Sequence, residues 1–156
     1  MSDPAAIALS PDDEAALHAV MARHAAAWNA HDMAALVADM AADVGWINVV
    51  GMQWTGREQV RRAHEALHRT MFATSRLTQM SLELRAVADG LALGINRTMM
   101  EGAGPTPDGR PYPAAGSVMT LLFARTDGAW RIVHGHNTNI DARAAAHDPA
   151  TAAGPR

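Results

Sequence analysis

The chain has 156 residues, with 13 basic and 16 acidic side chains, eight histidines and no cysteine. This length predicts one domain, and the lack of cysteine excludes disulfides, thiol catalysis and cysteine-ligated metal sites. The formal net charge of -3 is unlike the basic excess of nucleic-acid-binding proteins, so no nucleic-acid partner is expected.

The two ends differ in composition from the middle of the chain. Residues 1–11 lack hydrophobic periodicity, and residues 142–156 are rich in Ala, Pro and Gly. We therefore predict flexible tails on either side of a single domain over residues 12–141. There is no signal-peptide pattern and no apolar run of about 18 residues, so we expect a cytoplasmic protein that does not bind membranes.

The first predicted elements are helices. Ser10 is typical of an N-cap, with Pro11 at the first helical position of a long amphipathic helix. The apolar face of this helix carries His24 and Trp28, and we interpret His24 as a core histidine with its hydrogen bonds satisfied. Asp32 predicts the N-cap of a second, shorter helix.

A strand and a third helix come next. Residues 44–50 predict a strand in which Trp46 and Asn48 share a face. A buried asparagine needs a hydrogen-bond partner, which makes Asn48 a candidate site residue. After a loop that contains Trp54, residues 56–58 begin the third helix, and His64 lies on its apolar face.

The second half of the chain predicts strands only. Asp-Gly pairs at 89–90 and 127–128 are strong hairpin turns. Helices followed by a strand meander indicate the α+β class, with a curved antiparallel or mixed sheet wrapped around the N-terminal helices as a cone-shaped barrel. The four long strands are predicted over residues 76–87, 91–101, 116–126 and 129–140.

Residues 64–68 match the H-E-x-x-H pattern of zinc proteases, which places two imidazoles on one helical face beside a carboxylate. No downstream histidine continues the motif, and no helix offers an obvious third ligand. A coincidental match is the better interpretation, so no metal site is predicted here.

His134 and His136 lie two residues apart in the last strand and therefore share a face. Trp130 and Ile132 are on that face, which predicts that the histidines point inward. They are candidates for acid–base groups or for the lining of a ligand pocket. A metal site formed by this pair with either His64 or His68 stays open as an alternative.

Other chemistry has little support in the sequence. The aspartates fall mainly at caps and turns, no G-x-S-x-G elbow occurs, and no nucleotide-binding glycine pattern is present, so no cofactor is predicted. Arg97 is a candidate binding residue, because it alternates with Leu91, Leu93, Ile95 and Met99 on a face that we predict to be inward. A guanidinium there would need a carboxylate or a bound anion.

Several segments, in this order, resemble the SgcJ/EcaC family of the nuclear transport factor 2-like superfamily, which is also called SnoaL-like or cystatin-like. They are residues 28–32 (WNAHD), 48–51 (NVVG), 54–57 (WTGR), His64, 128–132 (GAWRI) and 137–138 (NT). The resemblance covers residues 12–141. It implies a cone-shaped α+β barrel with a pocket between helices and sheet, and a homodimer packed through the outer sheet face.

Members of this family often occur in bacterial secondary metabolism, which implies a polyketide-like or other natural-product substrate. The chain departs from the family pattern at His136, where glutamine is common, and at His68, where an apolar residue is common. Both departures add imidazoles near the expected pocket.

We therefore predict a cofactor-independent isomerase, dehydratase or cyclase in which His64 or His136 is the general acid/base. Asn48 and Asn137 would orient a carbonyl or enolate oxygen. Asn137 shares this pocket with His136 only if the last strand bulges or twists between them. A non-catalytic carrier with the same pocket is the alternative. The substrate-binding residues are predicted to be Trp28, Trp46, Trp54, Arg97, His134 and Asn137.

Overall fold

A computed structural model describes residues 7–110 and 112–150 of the chain. The predicted α+β class is confirmed, and the first strand begins at Met40 rather than at residue 44. The elements of this part are α1 Pro11–Asn29, α2 Met33–Leu36, β1 Met40–Ile47, β2 Gln53–Thr55, α3 Arg57–His68, β3 Arg76–Ala88, β4 Leu91–Glu101, β5 Ala115–Thr126, β6 Ala129–Asn139 and α4 Ala142–Ala145.

The helices begin at the predicted caps. The Asp13 amide donates to the Ser10 hydroxyl over 3.1 Å, and Pro11 occupies the first helical position. The Ala35 amide donates to the Asp32 carboxylate over 3.0 Å at the start of α2. In the part of the chain that the structure describes, no helix is long and apolar enough to cross a membrane.

The structure contains one short helix near the C-terminus that was not predicted. Helix α4 lies within the segment 142–156 that was predicted to be a tail, and Asp141 caps it by accepting from the amides of Arg143 and Ala144. Residues 1–6 and 151–156, which complete the predicted tails, lie outside the described residues. The domain boundaries stay a prediction.

All six strands described form one mixed sheet in the order β2-β1-β6-β5-β4-β3. Only the β1–β6 pair is parallel. Strands β2 and β3 form the two edges of this sheet and do not pair with each other, which is consistent with the expected curved sheet in the shape of a cone. The hydrophobic core lies between the inner face of this sheet and the helices, and includes Leu17, Val20, Met21, Leu121, Phe123 and Ile132.

A bulge interrupts β6 in the middle of its pairing with β5. Ile132 pairs with Phe123, but the next pair of the ladder joins His134 to Leu122. Val133 is therefore an extra residue on β6, and it reverses the faces of everything that follows it.

The bulge corrects two predicted site residues. Trp130 is buried ahead of the bulge, as expected, but Gly135 is the buried residue beyond it and His136 is exposed. The inward orientation predicted for His134 and His136 is wrong, because the extra residue moves both imidazoles to the outer face of the sheet. The same shift turns Asn137 inward.

The faces of β4 are also the reverse of those predicted. Ala92, Asn96 and Thr98 are buried against the interior, whereas Arg97 is exposed on the outer face. Arg97 therefore does not reach the interior, and its predicted role in substrate binding is not supported by its position. The larger apolar residues Leu91, Leu93, Ile95 and Met99 share that outer face.

Strands β1 and β6 pair large side chains with glycines. Trp46 is in register with Gly135 on the inner face, and His134 is in register with Gly45 on the outer face. A Cβ atom added to Gly135 would lie 2.5 Å from Cζ3 of Trp46, and one added to Gly45 would lie 2.5 Å from Nδ1 of His134. Each glycine therefore makes room for the large side chain of its neighbour.

Candidate functional site

A cavity of about 160 Å³ lies between α1, α3 and the inner face of the sheet. The loop between β1 and β2 forms its rim, where Val50 and Met52 line the cavity and are 67% and 53% exposed. Among the described residues that line it there is no Asp, Glu, Lys or Arg. The cavity is therefore suited to a neutral, largely apolar molecule.

His64 projects from the inner face of α3 into this cavity and is 6% exposed. Its Nδ1 lies 2.9 Å from the carbonyl oxygen of Val60, one turn earlier in the same helix. Because a carbonyl only accepts, Nδ1 carries the hydrogen and Nε2 is left as the basic nitrogen. Burial lowers the pKa of His64, partly offset by the Val60 hydrogen bond, so the ring is neutral at neutral pH.

Three tryptophans surround the His64 ring in edge-on orientations. The centroid distances from His64 are 5.4 Å to Trp54, 6.0 Å to Trp28 and 6.3 Å to Trp46. Trp28 is held in place because its Nε1 donates to the hydroxyl of Ser75 over 3.1 Å. All three predicted tryptophans line the cavity, and together they surround the imidazole with apolar ring surface.

A second imidazole, that of His24 on α1, lines the same cavity and is 5% exposed. Its ring centroid lies 6.0 Å from that of Trp46, so His24 and His64 both pack near one indole. Burial, with a smaller contribution from His64, lowers the pKa of His24 to about 4. Its Nδ1 atom is buried without a hydrogen-bond partner, which contradicts the interpretation of His24 as a satisfied core residue.

The sheet supplies a polar wall opposite the helices. Thr98, Ser117 and Asn139 are in register across β4, β5 and β6, and all three line the cavity. The hydroxyls of Thr98 and Ser117 lie 2.8 Å apart and form a hydrogen bond. Asn137 stands in the next row, and its Oδ1 is buried without a partner.

Asn48 lines the cavity as predicted, but it lies in the loop after β1 rather than in the strand. Its Oδ1 accepts hydrogen bonds from the amides of Val50, over 3.1 Å, and Met52, over 2.9 Å. The side-chain oxygen therefore holds the rim loop in shape and is not free for a substrate.

The side chains of the H-E-x-x-H segment point to different partners. Glu65 forms an ion pair with Arg61 on α3, so its carboxylate is not a free base for the cavity. Among the described residues, no three His, Cys, Asp or Glu side chains are placed to hold a metal ion. The alternative site through His134 and His136 does not assemble either, because they lie on the opposite face of the sheet from His64.

His68, at the end of α3, pairs with His31, which lies between α1 and α2. The Nδ1 atoms of His68 and His31 lie 2.8 Å apart, and His68 packs edge-on against Trp28 at a centroid distance of 4.5 Å. Burial, followed by the neighbouring His31 and His64, lowers the pKa of His68 to about 4. This pair joins the end of α3 to the segment between α1 and α2, behind the wall formed by Trp28.

The structure thus brings together six of the nine predicted site residues and adds four others. The four additions are polar residues that were not predicted from the sequence to lie in the site. His24 stood out only as a polar residue on an apolar helix face, and the hydroxyls stood out only as polar residues alternating along long strands. The predicted residues that line the cavity are Trp28, Trp46, Asn48, Trp54, His64 and Asn137, and the added ones are His24, Thr98, Ser117 and Asn139.

The sequence of this chain matches a known protein family. The model of the SnoaL-like domain matches residues 21–134, which is most of the chain. The chain belongs to the SnoaL-like domain family. No curated protein sequence matches it.

Several solved structures share the fold of this chain. An uncharacterised protein with a cystatin-like fold from Caulobacter vibrioides is 35% identical and superposes with a TM-score of 0.81, covering 89% of this chain and 97% of that one. The hexachlorocyclohexane dehydrochlorinase LinA-type3 from Novosphingobium barchaimii LL02 is 16% identical, with a TM-score of 0.73 and coverages of 83% and 88%. A putative scytalone dehydratase from Novosphingobium aromaticivorans DSM 12444 is 11% identical, with a TM-score of 0.70 and coverages of 83% and 85%. The SnoaL-like, cystatin-like fold expected from the sequence is confirmed.

Proposed function

We propose that this SnoaL-like protein is a cofactor-independent enzyme that uses the His64 imidazole as a general base on a small neutral molecule. The observation that carries the proposal is the single hydrogen bond of His64. With Nδ1 held by the Val60 carbonyl, Nε2 is fixed as a lone-pair nitrogen in an uncharged cavity walled by three indoles. A neutral, oriented imidazole is the form that accepts a proton from carbon.

The reaction that fits this arrangement begins with cleavage of a C–H bond next to a carbonyl group. The proton goes to Nε2 of His64, and the electron pair forms a C=C bond with the charge directed to the carbonyl oxygen. Ser117, Thr98 and Asn137 line the facing wall and offer donors to that oxygen. Return of the proton to another carbon gives an isomerisation, and its delivery to a departing hydroxyl gives a dehydration.

Two of the structural relatives support this reaction class by their names. One is called a dehydrochlorinase and the other a putative dehydratase, and both names describe an elimination from a small molecule. We extend the proposal to a polyketide-like or other natural-product intermediate, and to the SgcJ/EcaC group of the superfamily, on the resemblance of residues 28–32, 54–57 and 128–132. In this proposal His136 has no catalytic role, because it faces away from the cavity.

Proton abstraction can be tested without knowing the natural substrate. In deuterated buffer, 2-tetralone exchanges the hydrogens next to its carbonyl, and NMR follows the loss of their signal. We expect the wild-type protein to accelerate this exchange, and His64→Phe to lower the acceleration by about 10²- to 10⁴-fold. His18→Phe, a change at an exposed histidine of α1, is the matched control and should exchange at the wild-type rate.

The alternative is a carrier protein that binds the same kind of molecule and leaves it unchanged. The observation that favours it is the lack of a carboxylate to orient His64 or stabilise its protonated form, since none lines the cavity among the described residues. Binding of 2-tetralone without any accelerated exchange would support the carrier and contradict the enzyme.

A further inference from the structure

The mouth of the cavity carries apolar side chains that are exposed to solvent. Val50 and Met52 stand on the loop between β1 and β2, and Met71 follows α3; all three line the cavity and are exposed. Of the eight exposed large hydrophobic side chains among the described residues, three therefore belong to this one mouth. Single exposed apolar residues are normal, but a group of them beside a cleft is typical of a surface that contacts a ligand.

Hydrogen bonds hold the loop between β1 and β2 in the shape that exposes Val50 and Met52. The side-chain oxygen of Asn48 accepts from the amides of both residues. The main chain adds two bonds of 3.0 Å, from the Asn48 amide to the Met52 carbonyl and from the Gly51 amide to the Asn48 carbonyl. The backbone of the two apolar residues is therefore fixed beside the mouth, so little backbone entropy is lost when they contact a ligand.

The enclosed part of the cavity is small. An engineered apolar cavity of about 150 Å³ binds benzene, and this cavity has about 160 Å³. One six-membered ring therefore fills it against Trp28, Trp46 and Trp54. Any further part of a larger ligand has to leave through the mouth, where it passes the three exposed side chains.

We propose that Val50, Met52 and Met71 form an outer subsite that binds an uncharged apolar chain of a ligand whose ring fills the enclosed cavity. None of the described residues that line the cavity and its mouth is Asp, Glu, Lys or Arg, so a charged chain would find no partner there. The inference rests on the proposed function, because it concerns the same cavity. It narrows the substrate class to ring ketones that carry an apolar chain.

A series of phenyl ketones that differ only in the length of the chain tests the inference: acetophenone, butyrophenone and hexanophenone. Complete burial of one methylene group is worth about fourfold in affinity, and a subsite that is open on one side buries about half of it, which gives about twofold per methylene. The longest ketone has four methylenes more than the shortest, so we expect it to bind the wild-type protein about 10- to 20-fold more tightly. Isothermal titration calorimetry measures the dissociation constants.

Variants of the mouth show where the chain binds. Val50→Ser combined with Met52→Ser removes the apolar surface of the loop and should reduce the ratio of the two affinities to below about threefold. Met71→Ser changes a different segment of the mouth and should also reduce it. The matched control combines Met80→Ser with Val87→Ser, at exposed positions of β3 that do not line the cavity, and should keep the wild-type ratio. Because every substituted side chain is exposed, all variants should melt close to the wild-type temperature.

The possible results separate the inference from the proposed function. Equal affinities of the wild-type protein for the three ketones, or a wild-type ratio that persists in the loop variant, overturn the outer subsite and leave the cavity and its base in place. Absence of binding by all three ketones also overturns the inference, and the exchange of 2-tetralone then decides the proposed function separately. A ratio that falls equally in the control variant contradicts the assignment of the chain to the mouth.

Discussion

His24, His64 and His68 are all buried, and burial lowers the pKa of each. The first two line the cavity, and the third lies behind Trp28 in the pair with His31. Because the neutral forms are preferred in the folded protein, the same groups that suit a base in an uncharged cavity make the fold sensitive to acid.

The free energy of unfolding should therefore fall as the pH is lowered from about 6.5, the ordinary value for histidine, to about 4. In this range the unfolded chain binds protons that the folded chain does not, so acid favours unfolding. For His24 alone the loss amounts to about 3 kcal/mol between the two limits. Urea unfolding at a series of pH values measures this slope.

Histidine variants show which imidazole rings cause the pH dependence of the free energy of unfolding. His24→Phe and His68→Phe should each make the dependence on pH shallower, whereas His18→Phe, at an exposed position of α1, should leave it unchanged. A stability that does not change between pH 4 and 6.5 would contradict the neutral state of the buried rings.

Individual site residues were predictable where a simple periodicity holds. The 3.6-residue period of α3 places His64 inward, and that of α1 places Trp28 inward, as the structure shows. The same pattern placed His24 inward, but no pattern in one sequence shows whether a buried ring has a hydrogen-bond partner. That fact depends on which backbone carbonyl the fold brings beside it.

At the level of elements, the parallel pair β1–β6 depends on the two glycines that face large rings. Gly135 lies beneath the Trp46 indole, and Gly45 lies beneath the His134 imidazole. Only the first of these contacts faces the cavity. The position of the Trp46 wall is therefore fixed by the absence of a side chain on the neighbouring strand.

Gly135→Ala should displace the Trp46 ring, because the new methyl group would lie 2.5 Å from it. We expect a loss of about 1–3 kcal/mol in the free energy of unfolding, together with weaker binding of ring compounds in the cavity. Gly116→Ala is the control, since its methyl group would approach no atom more closely than the flexible Cδ1 end of Ile140, at 3.3 Å, and its other neighbours would lie at 3.8 Å. Chemical denaturation and tryptophan fluorescence measure both effects, and unchanged ring binding in Gly135→Ala would contradict this account of the wall.

The bounds of the long strands were predictable within one residue, but the faces of β4 and β6 were not. In β4 the inner residues are small or polar, such as Ala92 and Thr98, because a cavity needs room and hydrogen-bonding groups on that wall. The hydrophobic pattern of β4 therefore predicted the outer face of this strand as the inner one. In β6 the extra residue Val133 reverses the faces, and a bulge leaves no mark in the alternation of apolar and polar residues.

On the scale of the whole molecule, the outer face of the sheet carries half-buried apolar residues, and none of the helices described in residues 7–110 and 112–150 packs on them. Arg97, His134 and His136 lie on the same face. The resemblance noted in the sequence implies a homodimer through this face, and the apolar surface supports that proposal. The half-buried residues are Leu93, Ile95, Met99, Val118 and Leu122.

We expect the wild-type protein to sediment as a dimer and Ile95→Arg to sediment as a monomer, because a charge in the centre of an apolar contact is costly to desolvate. His18→Arg adds the same charge on α1, on the other side of the sheet, and should leave the dimer intact. Sedimentation equilibrium over a range of concentrations distinguishes the two states. A wild-type protein that is monomeric at every concentration would contradict the proposal.

The edge strand β3, which has 13 residues, is partly protected against pairing with another strand. Near its start, both the amide and the carbonyl of Leu77 bond to the side chain of Asn29 at the end of α1, over 2.7 and 2.9 Å. Further along, the pairing of β3 with β4 is irregular on either side of Met80 and again before Ala88. A strand that approached this edge would find the amide and the carbonyl of Leu77 already hydrogen-bonded to Asn29. Further along, it would meet a strand whose register is irregular. The β3 edge of the sheet is therefore a poor template for open-ended strand addition.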